Sequence, residues 1–304
     1  MKKYISESGI NRRNEWIEEI CKLSGHFGVD SDRLEKELSD EIKRDGLASL
    51  IDHLRLSGNI PECYPHDSSE EKLYSKYTDA LLAETFKNLG LKSLVLKERA
   101  DAADVEVFAK EYSFVADAKA FRLSRTAKNQ KDFKVQAMDG WKRGKPYAMV
   151  VCPIYQLPHK SSQIYEQASA RNVCIFTYSH LAMLVAYAQH DGYGKAEELL
   201  HKIFKTIPAL IPSKESSNYW LAVNKTMLEF SNILDELWKI EKQAAIESIA
   251  IAKNEALTFL AHERESIMKM THEDALKELV RAYNIENKIQ IIKSVTDNNI
   301  LEIR

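Results

Sequence analysis

The sequence predicts an α/β protein: a mixed sheet flanked by helices, with substantial helical sections added at both ends. Three observations carry this expectation. Glycine (10) and proline (7) are scarce in 304 residues, which disfavours a turn-rich all-β chain. Between about residues 68 and 190, helical periodicity alternates with short apolar runs. On either side of that stretch the apolar spacing is helical only.

Within residues 1–62, Leu34, Leu38 and Ile42 recur four apart, and Leu47, Leu50, Ile51 and Leu54 continue at three and four. This predicts a helix pair with one buried face. The polar, two-proline stretch 59–69 reads as a connector. Residues 69–90 predict a helix stopped at Gly90, with Leu73, Tyr77, Leu81, Leu82, Phe86 and Leu89 inward. Strands are expected at 91–97, 105–109 and 114–121, the last two forming a hairpin across Lys110–Ser113. Phe133, Ala137 and Trp141 at i, i+4, i+8 predict a helix over 131–142. The continuous apolar run 147–155 reads as a strand buried on both faces. A helix over 161–172, a strand over 173–178 and a helix over 180–189 complete the core. Nothing after 195 resembles a strand, and Thr271 to Asp274 has the form of a helix-capping box. The expected sections are 1–62, helical; 63–194, the α/β core; and 195–304, helical and a candidate for dimerisation or for embracing a substrate.

Composition excludes several classes. Hydrophobic residues are 44% and charged residues 29%, the balance of a soluble globular chain. No apolar run is long enough to span a membrane, and no apolar stretch follows the first lysines as in a secretory signal. Cys21, Cys63, Cys152 and Cys174 are far apart, so neither a disulfide framework nor a zinc ribbon is expected, and the cytoplasm is the default location. Phosphate-loop, dinucleotide, metalloprotease and serine-elbow patterns are absent. The net charge of −2 conceals a strong asymmetry. Residues 119–145 hold nine basic residues against two acidic ones, a charge of +7, which leaves −9 for the rest. A local basic segment on an acidic body suits a polyanion-facing surface, and equally a solvated helix face.

Asp117-Ala118-Lys119 lies inside the second hairpin strand. Residues i and i+2 share a strand face, so carboxylate and ammonium project side by side. Asp104, at the mouth of the preceding strand, folds back beside Asp117 if the hairpin forms. Two apposed carboxylates against a phosphate favour Mg²⁺, with Mn²⁺ a plausible substitute, and a nearby lysine can orient or deprotonate a water. That set suits hydrolysis of a phosphodiester. An acid-x-Lys triplet alone is weak, since the chain has five; only the one at 117 lies in a short apolar strand. Its structural alternative is a surface ion pair on an edge strand.

Asp104 with Asp117-Ala-Lys119 resembles the PD-(D/E)xK nuclease signature, except that Ala103 stands where that signature has proline. The segment VADAKAFRLSRTAKNQKDFKV (115–135), with EKLYSK (71–76) and ADV (103–105), is similar to the catalytic region of the HindIII-like type II restriction endonucleases. The resemblance covers about 65 residues, 71–135. It implies a restriction-endonuclease-like core and a Mg²⁺-dependent, site-specific double-stranded DNA endonuclease. It further implies a homodimer cutting a palindrome, AAGCTT, with a cognate DNA methyltransferase as genetic partner. Asp104, Asp117 and the Ala118 carbonyl would hold the metal, and Lys119 would handle the water. Relatives often add an acid from the preceding helix; Glu71 is the first candidate and Glu84 the second. Glu71 reads equally as a first-turn glutamate that favours the helix dipole.

DNA contacts are expected from Arg122, Ser124, Arg125, Lys128, Asn129, Gln130, Lys131 and Lys134. Basic side chains three apart drift about 60° per step on a helix, so they cannot share one face. Residues 122–130 are therefore read as a loop and helix start against DNA, with Arg122, Arg125 and Asn129 as base readers and the lysines at phosphates. Rival readings are a structure-selective or repair nuclease on the same core, and a non-catalytic DNA-binding protein.

Overall fold

The structure is a computed structural model that describes residues 3–97, 102–125 and 130–294, without the side chains of 130, 131 and 294. The chain divides within one long helix into two units, Met1–Ala256 and Leu257–Arg304. The first unit opens with α1 (Glu7–Ile20), α2 (Phe27–Asp45) and α3 (Leu47–Leu56). Three helices stand where a pair was expected, because Gly46, at φ 76°, breaks α2 from α3 in a conformation that costs glycine little. Next comes α4 (Ser69–Lys87), whose first turn is capped by Ser68 Oγ accepting from Glu71 N at 3.2 Å.

The sheet holds β1 (Lys92–Val95), β2 (Val105–Phe108), β3 (Ser113–Ala118), β4 (Tyr147–Cys152) and β5 (Val173–Thr177) in that spatial order. The first three strands are antiparallel neighbours, and β3, β4 and β5 run parallel. Strand β4 is buried from Ala148 to Cys152 and β5 throughout, as parallel strands covered on both faces require. Helix α4 packs on β1, β2 and β3. Its Phe86 meets Phe114 of β3 edge-on at 5.0 Å. Burying each such ring contributes about 1.5–3 kcal/mol.

Two predicted elements come out differently. Strand β3 ends at Ala118 instead of 121, and beyond it Phe121 makes an isolated parallel bridge with Asn59. The connector after α3 is thus paired to the end of the site-bearing strand. The predicted helix over 131–142 is two pieces, α5 (Gln130–Phe133) and α6 (Val135–Trp141). Lys134 between them is left-handed, at φ 47°, which no α-helix accommodates.

Helices α7 (Gln163–Ala170) and α8 (Tyr178–Asp191) pack on β5, and α9 (Tyr193–Thr206), α10 (Ser216–Leu228) and α11 (Ile233–Met268) come after them. One apolar core runs from Trp16 to Trp238, so the N-terminal helices, the sheet, α9, α10 and the start of α11 share it. Buried Arg13 ties α1 to this body: it donates to Leu56 O, Asn59 O, Tyr74 Oη and the Glu255 carboxylate. The second unit holds the end of α11, then α12 (His272–Ala282) and α13 (Ile285–Ser294). Thr271 caps α12 by accepting from Asp274 N at 3.2 Å. Among the described residues no helix is long and apolar enough to cross a membrane.

Candidate active site

Strand β3 carries Asp117 at a position 1% exposed, one residue before its last. Backbone pairing with β4 continues one residue past the end of β3, where Lys119 N donates to Val151 O at 2.7 Å. Lys119 and Asp117 form an ion pair on one face of the strand. In the β2–β3 hairpin Val105 stands opposite Ala116, so Asp104 comes opposite Asp117 in the next register position. Its own carbonyl is held by Leu96 N at 2.8 Å. A hydrogen bond links the two carboxyls.

A third acid and a second lysine reach this cluster from α4. Asp79 is 2% exposed; Lys76 Nζ lies 2.9 Å from its Oδ2 and 3.6 Å from Asp104 Oδ1. Residues three apart share a helix face, so α4 presents both to the sheet. Neither residue was singled out from the sequence. A signal was available: Asp79 interrupts the run Thr78 to Phe86, every member of which is buried. A carboxylate in such a run must find a partner or a function.

The electrostatics are those of like charges forced together. Burial, then Asp79, then the hydrogen bond to Asp117 push the Asp104 carboxyl far above the usual carboxylate range. Burial also raises Asp79, to about 6, against the pull of Lys76. For Asp117 burial is opposed by the Lys119 ammonium and the Asp104 hydrogen bond, and the net direction is down. Burial disfavours the Lys119 ammonium, but Asp117, Asp104 and Asp79 outweigh it, so this lysine stays protonated at neutral pH. The cluster therefore holds one proton between Asp104 and Asp117.

Asp104, Asp117 and Asp79 offer only hard oxygen donors, and the Ala118 carbonyl lies beyond the last β2–β3 pair. Asp117 Oδ2 is buried without a well-formed hydrogen bond, its charge met chiefly by the Lys119 ammonium. A buried carboxylate oxygen among acids, held by ion pairing and not by a hydrogen bond, fits a divalent cation. Such an ion must displace the shared proton, so its affinity should rise with pH through neutrality, by up to about tenfold per unit. Calorimetric Mg²⁺ titrations in buffers of different ionisation enthalpy should show about one proton released. A pH-independent affinity would refute this account of the cluster.

Among the remaining expected site residues, Glu71 does not join the cluster: its carboxylate accepts from Arg122 Nε at 3.1 Å and from Asp67 N at 2.7 Å. It sits eight residues before Asp79, about 12 Å along the helix. Its lowered pKa reflects burial overcome by Arg122 and the Asp67 amide. Glu71 also nears His66 and Asp67, the ligand atoms of all three falling within 4.8 Å, but both its oxygens are already engaged. Glu84 is buried and pairs with Lys87 at 2.8 Å. Arg122, expected as a base reader, is largely buried among protein acceptors, while Ser124 and Arg125 are exposed. Arg125 pairs with Asp132 and lies over the Phe121 ring at 5.4 Å. Lys134 lies over Trp141 at 5.4 Å, and its ammonium also bears on Asp117. Lys128 and Asn129 lie outside the described residues, as do the side chains of Gln130 and Lys131.

Comparison with known proteins covers most of the chain. A family model described as HindIII restriction endonuclease matches residues 13–296. The type II restriction enzyme HindIII of Haemophilus influenzae is 35% identical over 257 residues, 81% of this chain and 83% of that protein. A trigger factor of Kosmotoga olearia is 22% identical over 153 residues, 50% of this chain and 35% of that one.

Proposed function

Because the chain belongs to the HindIII restriction endonuclease family and is thereby a site-specific DNA endonuclease, we propose that it hydrolyses double-stranded DNA at AAGCTT with Mg²⁺ held at the Asp104–Asp117 cluster. The observation that carries this reading is the convergence of Asp104, Asp117 and Lys119 across one hairpin register, joined by Asp79 from α4. Asp104, Asp117 and the Ala118 carbonyl would hold the ion, with Asp79 adding negative charge from behind through Lys76, and the ion would supply charge neutralisation at the phosphate. Lys119, an ammonium in this geometry, positions the attacking water and screens the charge that builds on the phosphoryl oxygens. It begins as a donor, so any role as base requires that it first lose its proton.

The enzyme acts as a homodimer, since a palindrome presents two equivalent strands to two equivalent sites. We assign the dimer contact to the section 195–304, where α12 and α13 leave Leu276, Leu279, Tyr283, Ile289 and Ile292 exposed. A methyltransferase protecting the same site is the expected genetic partner. The test is digestion of a long DNA of known sequence with and without Mg²⁺. Discrete fragments ending within AAGCTT, only when Mg²⁺ is present, are expected. A smear, cutting at junctions alone, or cutting in EDTA overturns the reading.

A further inference from the structure

The loop that leaves Lys119 is held from behind by the connector between α3 and α4. Phe121 N donates to Gly58 O at 3.1 Å, and Ile60 N donates to Phe121 O at 3.3 Å. One residue on, the Arg122 carbonyl accepts from Gln156 Nε2 at 2.9 Å. The side chains complete the clamp. Glu62 accepts from Ser124 N at 3.0 Å and from Ser124 Oγ at 2.9 Å, and lies 3.9 Å from Arg122 Nη1. Arg122 in turn donates to Glu71 and to Pro65 O at 3.2 Å. The Glu62 and Arg122 side chains are only 7% and 12% exposed, so this pairing is built into the fold.

Two carboxylates beside a DNA-facing loop oppose a polyanion, so their favourable contribution must lie in geometry. Free loops bind at the cost of being ordered; a loop ordered beforehand does not bear that cost on binding. We propose that Glu62 is a positioning residue for DNA reading: with Glu71 it fixes residues 120–125 through Ser124 and Arg122, locking the reading loop to the strand that carries Asp117 and Lys119. Arg122 is then a strut, and Arg125, exposed beside Phe121, is the arginine of this loop that meets DNA. The inference rests on residues 122–125 facing DNA.

The experiment compares wild type, Glu62→Ala and Glu62→Gln. It measures cleavage rates on the wild type's own cognate site and on its single-base variants, with melting temperature and Mg²⁺ binding without DNA as controls. Removing the carboxylate strands the Ser124 amide and frees Arg122. Discrimination should fall about tenfold in Glu62→Ala and by less in Glu62→Gln, which keeps one acceptor, while Mg²⁺ binding is unchanged. Wild-type discrimination in a folded Glu62→Ala overturns the proposal; if that variant fails to fold, unchanged discrimination in Glu62→Gln does so instead. Arg125→Ala separates the premise from the inference. It should flatten the log–log salt slope by about one, or relax one base position; if it does neither, the loop does not face DNA.

Discussion

Lys119→Ala is expected to abolish cleavage while leaving site-specific DNA binding measurable. The lysine lies one residue past the end of β3, 13% exposed, with its ammonium on Asp117. In the proposed mechanism it places the nucleophile and sets positive charge beside the phosphoryl oxygens, where negative charge grows. Loss of such a group costs on the order of 10²–10⁴ in rate. The removal also leaves Asp117, a buried carboxylate, without its principal counter-charge, so metal-free stability should fall as well. Single-turnover cleavage in Mg²⁺, beside gel-shift binding in EDTA, separates chemistry from recognition. A variant that cuts within tenfold of wild type removes Lys119 from the mechanism.

Asp104→Asn and Asp117→Asn should each reduce cleavage by at least about 10², since each removes a donor from the proposed ion site and a charge that no neighbour replaces. DNA binding in the absence of metal should move the other way. Three acids meet here against Lys76 and Lys119, and every carboxylate removed lowers the repulsion felt by an approaching phosphate. The two variants differ in one respect. Asp104 carries the shared proton, so Asp104→Asn replaces a group already neutral in the free protein and should tighten metal-free binding less than Asp117→Asn. Weaker DNA binding in EDTA together with normal cutting in Mg²⁺, in both variants, would remove these residues from the ion site.

The pattern of residues was enough to predict the sheet, the hairpin and the strand that brings Asp117 and Asp104 together. Period-two and continuous apolar runs are local properties, and a hairpin of four-residue turn brings Asp104 and Asp117 together by counting alone. The same local logic located the cap at Thr271. It marks Asp79 as a charge in an apolar run but does not assign it or Lys76 to this cluster, because that depends on which face of α4 meets the sheet, a packing decision made by residues such as Phe86 and Phe114 far apart in sequence. It misplaced Glu71 for the complementary reason: a first-turn glutamate looks available until a guanidinium from 51 residues later claims it. Arg122 reads from sequence as a base reader because a guanidinium offers paired hydrogen bonds, whereas two acids from the connector and α4 take up those donors and draw it in. Sequence by itself determined the order of strands and helices in the core, through backbone periodicity, and placed Asp104 opposite Asp117 and Lys119 through short-range register; the role given to those three came from the family resemblance. Only tertiary structure decided which other charges join that set and which are spent in pairing, since that depends on the burial and proximity of side chains brought together from distant segments.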